Sequence, residues 1–168
     1  ATSLAEALRA ALGDRDLGEA GRTLALLGRD DDLLQLARAT LADEETATPP
    51  ALADAALQAA ARAGDRSLIA PLFDALSVDR QEDARVREVV WLVLRPELSG
   101  EPGVDTLAVL QRCAGGASLA RDAEQLGRAM ARVIGPEAAA GYLRSIASNL
   151  DNERERRRLE SVAQELVG

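Results

Sequence analysis

The amino-acid sequence predicts an all-α fold in which antiparallel helix pairs stack into a solenoid. Pairs of amphipathic helices joined by a short turn recur at about 33 to 36 residues, and such a unit buries its apolar face only against its neighbours. No stretch shows the alternation of apolar and polar residues that is typical of a strand. The spacing predicts about ten helices in a single domain over residues 1–168. Whether the chain is a segment of a longer protein is left open.

The first two helices are predicted from capping signals. Ser3 is followed three residues later by Glu6, and Asp16 in the same way by Glu19, which is the spacing of a capping box. The second helix is expected to end at Gly28, since glycine commonly follows a helix end. Its predicted apolar stripe consists of Leu17, Ala20, Leu24 and Leu27.

The next two helices start at residues that suit a helix N-terminus. Three consecutive Asp residues over 30–32 favour the positive end of a helix dipole, and they lack the alternating ligand spacing of a calcium loop. Pro49 and Pro50 suit a first turn, where the missing N–H is not needed, and Gly64 follows the end of this Ala-rich helix. We therefore expect helices from these points and no metal site.

The fifth and sixth helices form the clearest pair. Asp65 or Ser67 is expected to cap the fifth, whose predicted buried stripe is Leu68, Ile69, Leu72, Phe73 and Leu76. A short polar break separates it from the helix after Asp83, which is the most apolar of the chain and is predicted to be the central, most buried one. Its apolar residues are Val86, Val89, Val90, Leu92, Val93 and Leu94.

A break rich in Pro and Gly over 96–103 precedes the last four helices, which are predicted over 104–114, 118–134, 137–149 and 153–167. The last of these begins with a cluster of arginines interleaved with glutamates. Glu153 and Arg157 stand four residues apart, a spacing that supports helix surfaces, so a solvated face is favoured over a positive binding patch. The cluster consists of Arg154, Arg156, Arg157 and Arg158.

The composition limits the chemistry available to this chain. The sequence contains no His and no Lys, so all 20 basic residues are Arg. This excludes an imidazole base, a His-ligated metal and a lysine Schiff base, and we expect neither an enzyme nor a cofactor. Hydrophobic residues make up 47% but aromatic residues only 2%, which predicts a core of Ala, Leu and Val. The aromatic residues Phe73, Trp91 and Tyr142 are expected to anchor this core, and the lone Cys113 to be a buried thiol.

The net charge of −8 opposes attraction to phosphate backbones and to anionic lipid surfaces. No stretch of 18 or more apolar residues is present. We therefore expect a protein or peptide as partner, and neither nucleic acid nor membrane. The sequence does not set the compartment, although a cytoplasmic location is favoured, and the oligomeric state stays open.

Two adjacent segments resemble HEAT repeats, in particular the short bacterial kind. The helix after the polar break carries an Asp cap and a Val-Arg pair, with Asp83, Val86, Arg87, Val90 and Leu94 at the matching positions. The helix before it carries the second-helix pattern, with Gly64, Asp65, Pro71, Leu72, Phe73, Asp74, Ala75 and Leu76. The resemblance is close over about 45 residues. It implies a right-handed solenoid whose second helices line a concave face, and a binding scaffold as the usual function of the family.

Equivalent outward positions on the second helices predict a binding column on the concave face. The column consists of Arg38, Asp74, Gln111, Arg112 and Arg144. Ordinary exposed polar residues without a partner are the alternative. Because Arg engages carboxylates through two parallel hydrogen bonds, an acidic peptide would suit such a face.

Two other functions stay open at this point. A structural role through self-association would use exposed Leu4, Leu8, Leu159 or Val162 on the end helices. An enzyme of the bilin-lyase or DNA base-excision kind, which the resemblance also allows, would need a deep pocket with a carboxylate and aromatic walls.

Overall fold

The computed structural model describes residues 3–113 and 117–168, and for residue 14 and residues 117–120 it describes the backbone alone. Every regular element in these ranges is helical, with eleven α-helices and two 3-10 helices. The all-α prediction is therefore confirmed. The chain divides into two compact units, Ala1–Val93 and Leu94–Gly168. The prediction of one domain over the whole chain stays a prediction.

The first unit holds seven helices and a 3-10 helix at Arg66–Leu68. In chain order they are α1 Leu4–Ala11, α2 Asp14–Leu26, α3 Asp30–Ala42, α4 Pro50–Ala63, α5 Ile69–Asp74, α6 Val78–Glu82 and α7 Ala84–Leu94, whose last residue begins the second unit. The second unit continues with a 3-10 helix at Arg95–Ser99, then α8 Val104–Arg112, α9 Ala117–Ile134, α10 Pro136–Ser148 and α11 Glu153–Val167.

Alternate helices stack on each other in the first unit. The contact of α2 with α4, and of α1 with α3, is more extensive than the contact of either α1 or α3 with α2. Gly18 and Gly21 let α2 approach α4 closely: a Cβ on Gly21 would lie 2.8 Å from Leu52 Cδ1 and 3.3 Å from Leu52 Cα. The core between these helices is aliphatic and Ala-rich, with Leu33, Leu36, Ala37, Leu52, Ala53, Ala56, Leu57, Ala59 and Ala60 buried.

Arginine–aspartate pairs tie separate helices of the first unit together. Their members stand 26 to 34 positions apart, and the separations of 34 for Arg9 and 32 for Arg62 are close to the repeat length that the sequence predicts. Arg62 is bidentate, since its Nε and Nη2 each donate to one oxygen of Asp30 at 3.0 Å. The pairs are Arg9 with Asp43, Arg38 with Asp65, Arg62 with Asp30 and Arg80 with Asp54.

In the second unit α9, α10 and α11 each pack on the other two. Gly127 lies where all three meet, because a Cβ there would lie 3.0 to 3.2 Å from side-chain atoms of Leu143, Val162 and Leu166. The Tyr142 hydroxyl donates a hydrogen bond to the Gln111 carbonyl at 3.0 Å and so ties α10 to α8. The buried residues include Leu126, Ala129, Met130, Ala139, Ala140, Leu143, Ala147, Leu159 and Ala163.

Several predicted elements are confirmed. Ser3 and Glu6 form a complete capping box. Asp83 starts α7, since its Oδ1 accepts hydrogen bonds from the N–H groups of Arg85 at 2.8 Å and of Val86 at 3.4 Å. Gly64, with φ of 70°, ends α4 in the left-handed conformation that favours glycine. The following residues are buried as predicted: Leu68, Ile69, Leu72, Phe73, Leu76, Trp91 and Cys113. Tyr142 is half-buried.

Other predictions are wrong in detail. The capping box at Asp16 does not form because α2 begins at Asp14, after Gly13, so Asp16 lies inside the first turn. The short break after α5 contains the extra helix α6. Leu27 lies beyond the end of α2 and is 67% exposed, and Leu92 is 48% exposed, so α7 is not buried around most of its circumference. The predicted helix end at Ala114 lies outside the described residues.

Candidate functional site

The predicted binding column is divided between the two units. Arg38 and Asp74 are exposed residues of the first unit. Arg112 and Arg144 are exposed and Gln111 is half-buried in the second unit. A single column through all five residues therefore stays a prediction.

The residues of this column differ in the hydrogen bonds and ion pairs that they already make within the fold. The Arg38 guanidinium pairs with the Asp65 carboxylate, whose pKa is lowered by a hydrogen bond from Ser67 and further by Arg38. The backbone carbonyl of Gln111 accepts the Tyr142 hydroxyl. Arg144 makes no hydrogen bond or ion pair through its side chain within the described chain. The guanidinium of Arg144 is therefore available to a partner, whereas that of Arg38 is already paired.

A larger concentration of arginines lies elsewhere in the second unit, in an open groove of about 790 Å³ between α9 and α11. Arg121 comes from α9, and the other three arginines come from the first two turns of α11. Val162 forms an apolar part of the lining. The groove is lined by Arg121, Glu124, Asn152, Arg154, Glu155, Arg157, Arg158, Ser161, Val162 and Glu165.

The spacing on α11 explains which arginines face the groove. Residues three or four positions apart share a helix face, which places Arg154, Arg157, Arg158 and Ser161 along one side. Arg156 is turned away from this side and half-buried, and its Nη2 donates to the Leu150 carbonyl at 2.7 Å. The arginine cluster of the sequence therefore separates into one structural residue and three groove residues.

The groove continues into a second hollow of about 400 Å³ beside the 3-10 helix Arg95–Ser99. The two hollows share Arg121, Glu124 and Arg158, and the second adds Arg128 and Arg132 from α9. Arg132 is held in place because its Nη2 donates to the Leu98 carbonyl at 2.7 Å. We call the two hollows together the arginine groove.

Helix position and ion pairs decide which arginine of the groove is least compensated. Arg154 lies in the first turn of α11, where the helix dipole already contributes positive charge and a cation is disfavoured. Glu153 offsets part of this charge by accepting a hydrogen bond from Arg157 at 2.6 Å. Arg154 makes no side-chain hydrogen bond or ion pair in the part of the chain that the structure describes. An anionic partner would relieve this local accumulation of positive charge.

The two units also differ in overall charge. The first unit contains 10 Arg and 17 Asp and Glu residues, whereas the second contains 10 Arg and 11 Asp and Glu residues. Nearly all of the net charge of −8 therefore belongs to the first unit. The second unit is close to neutral, so its arginine groove is not surrounded by a strongly acidic surface of its own.

The sequence pattern favoured a solvated face for the arginines of α11, and the arginines of α9 were not predicted as site residues. A signal was present, since Arg121, Arg128 and Arg132 stand seven and four residues apart and so share one face of a helix. Their proximity to α11 depends on the tertiary packing of α9 against α11, which the helical period alone does not give.

Within the residues that the structure describes, no group of three or more Cys, Asp or Glu side chains is placed to hold a metal ion. No helix among the described residues is both long enough and apolar enough to cross a membrane.

No model of a known protein family, no curated protein and no solved structure matches this chain. The resemblance to HEAT repeats therefore stays a prediction that depends on the residues quoted for it.

Proposed function

We propose that this chain is a non-catalytic binding module that docks an acidic peptide or an acidic segment of a protein in the arginine groove. The observation that supports it best is the collection of arginines from α9 and α11 around one open groove in a protein of net charge −8. Arginine is suited to this role because its planar guanidinium donates two parallel hydrogen bonds to a carboxylate.

The form of the groove favours a chain segment over a small molecule. Small-molecule sites enclose most of the ligand surface, whereas this groove is open along its length and mixes arginines with Glu124, Glu155 and Glu165. The interspersed glutamates would repel a carboxylate placed opposite them and so restrict the register of an acidic segment.

We further propose that the helix pairs form a right-handed HEAT-like solenoid. Support comes from the stacking of alternate helices in the first unit and from Arg–Asp pairs that join residues about one repeat apart. In that arrangement the predicted column would line the concave face and extend the binding surface, with Arg144 as its available cation. A crystal structure in which alternate helices do not form two continuous layers would contradict this proposal.

The other two functions receive less support. Self-association through the end helices would use four apolar residues, but Leu159 and Val162 are buried and Leu8 is half-buried, which leaves Leu4 exposed. An enzyme of the bilin-lyase or base-excision kind would place aromatic side chains around its pocket. Phe73 and Trp91 are instead buried, and neither hollow of the arginine groove is lined by an aromatic residue.

The proposal is tested by titrating a fluorescein-labelled Glu-rich peptide and following its fluorescence anisotropy. The triple variant Arg154→Ala, Arg157→Ala, Arg158→Ala should bind at least about ten-fold more weakly than the wild type, since each exposed pair contributes up to about 1 kcal/mol. Binding should also weaken as salt is raised, because exposed charges are screened.

The matched control removes three exposed arginines of the first unit, Arg15→Ala, Arg66→Ala and Arg85→Ala, which changes the net charge equally. This control should bind the peptide no more weakly than the wild type. Equal weakening by both triple variants would show that net charge alone governs binding and would overturn the assignment. Tighter binding of a single-stranded DNA of equal charge would also contradict it.

A further inference from the structure

The first unit carries a second groove, of different chemistry, between α2 and α4. It has a volume of about 660 Å³ and a predominantly apolar lining. Gly28, at the turn after α2, and Asp30, at the start of α3, contribute to its lining. The groove is lined by Arg22, Ala25, Leu26, Gly28, Asp30, Ala51, Asp54, Ala55, Gln58 and Arg62.

Two adjacent leucines, the last residue of α2 and the residue that follows it, are strongly exposed to solvent. Leu26, which lines the groove, is 89% exposed, and Leu27 beside it is 67% exposed. A single exposed leucine is ordinary on a protein surface, but Leu26 adds its side chain to a groove whose lining is already predominantly apolar, a combination found at interaction sites. We call this groove the α2–α4 groove.

The floor of this groove can receive large side chains. It consists of Ala25, Ala51 and Ala55, whose short side chains leave a recess beside the rim at Leu26. The recess continues past Arg22 and Ala51 into a hollow of about 430 Å³ that reaches Pro49 and Pro50 at the start of α4. The continuous depression runs along α4 and is therefore of a form that a helix of another protein fits.

The charges around the α2–α4 groove indicate the sign of the partner. Arg62 and Arg80 are already engaged, because they donate paired hydrogen bonds to Asp30 and Asp54. Arg22, which also lines the groove, pairs with Glu19 at 2.7 Å, so the lining itself is close to neutral and the sign is set by the acidic residues farther out on the unit. Asp31, at the same end of α3, is exposed and makes no ion pair within the described chain. The unit as a whole contains 17 acidic residues against 10 arginines. Its field attracts a basic partner.

We infer that the α2–α4 groove docks an amphipathic helix of a partner protein, with large apolar residues along one stripe and basic residues on both flanks. The apolar stripe would fill the Ala-lined floor against Leu26. The basic flanks would face the acidic surface of the first unit. This site goes beyond the proposed function, because it lies in the other unit and selects a partner of the opposite charge.

The test uses two designed helical peptides that share one leucine stripe and differ in having Lys or Glu on the flanks. Binding to the full chain is followed by fluorescence anisotropy of the labelled peptides. The Lys-flanked peptide should bind at least about ten-fold more tightly than the Glu-flanked one, which corresponds to about 1.4 kcal/mol. The triple variant of the arginine groove should bind it as the wild type does, which separates this site from the proposed function.

Leu26→Ser with Ala55→Gln removes the apolar rim and fills the recess without changing the charge. The matched control is Val78→Ser with Ala10→Gln, since both residues are exposed on helices of the same unit and do not line the groove. The first pair should weaken binding of the Lys-flanked peptide at least about ten-fold and the control pair less than two-fold. Circular dichroism shows whether each variant is folded.

Three results would overturn the inference. Equal affinity for the two peptides would show that charge does not select the partner. Equal affinity of the groove variant and its folded control would show that the peptide binds by charge alone, away from the groove. Absence of binding at about 1 mM Lys-flanked peptide would show that the groove is not a docking site for such helices.

Discussion

At the scale of single residues, this chain uses arginine for two purposes. Arg62 and Arg80 join helices by paired hydrogen bonds to Asp30 and Asp54, a geometry that the lysine ammonium cannot reproduce. Arg154 in the arginine groove has no such partner in the described chain. The absence of Lys was evident from the sequence, but which arginines the fold engages depends on contacts between helices that composition does not encode.

Tyr142→Phe isolates one of these interhelical contacts. The change removes the hydroxyl that donates to the Gln111 carbonyl, on a side chain that is half-buried. We expect the free energy of unfolding to fall by about 1 kcal/mol, the usual loss for one neutral hydrogen bond. Urea unfolding followed by circular dichroism measures this change. A stability equal to that of the wild type would show that the bond contributes nothing.

The acid dependence of stability is the second residue-level prediction. A hydrogen bond from Arg9, and others from Glu45 N–H and Thr46, hold the pKa of Asp43 below its ordinary value. Because the pKa is lower in the folded state, the stabilisation is present above the unfolded value of about 3.9 and is lost as the pH falls through the folded value.

Urea unfolding at a series of pH values should therefore show stability falling from about pH 5 towards pH 2 in the wild type. The slope should be smaller in Asp43→Asn, which has no carboxyl group to protonate at this position. An unchanged slope in the variant would mean that the pairing of Asp43 with Arg9 does not contribute to the acid sensitivity.

At the scale of helices, local signals in the sequence placed most elements correctly. The capping box at Ser3, the cap at Asp83 and the glycine end at Gly64 all act within one turn, so the sequence alone specifies them. Two predictions of helix bounds were wrong for local reasons. Gly13 starts α2 ahead of the capping box at Asp16, and the polar break after α5 is long enough to form α6.

Two helix glycines of the second unit should respond in opposite directions to replacement by alanine. A Cβ on Gly127 would lie 3.0 to 3.2 Å from three side chains, whereas a Cβ on Gly141 meets nothing within 4 Å. Gly141→Ala should stabilise by about 0.5 to 1 kcal/mol through helix propensity. Gly127→Ala should destabilise by about 1 kcal/mol, because overpacking exceeds that gain.

Thermal and urea unfolding of both glycine variants measure these changes against the wild type. Stabilisation by both replacements would mean that the packing of α9, α10 and α11 is looser than the structure describes.

At the scale of the whole molecule, the fold class was predictable from the sequence and the candidate sites were not. Helical period and repeat length follow from the order of residues along the chain. Each groove instead requires two helices to be adjacent, α9 with α11 in one unit and α2 with α4 in the other. The two grooves lie in units of different charge, which favours two partners of opposite sign over one.

A nuclear magnetic resonance titration of the isotope-labelled protein with the Glu-rich peptide locates the bound peptide residue by residue. We expect the amide signals with the largest shifts to belong to residues 121–132 and 152–165, which carry the arginine groove. Largest shifts at Arg38, Asp74 and Arg144 instead, or shifts spread over both units without a maximum, would show that the arginine groove is not the docking site.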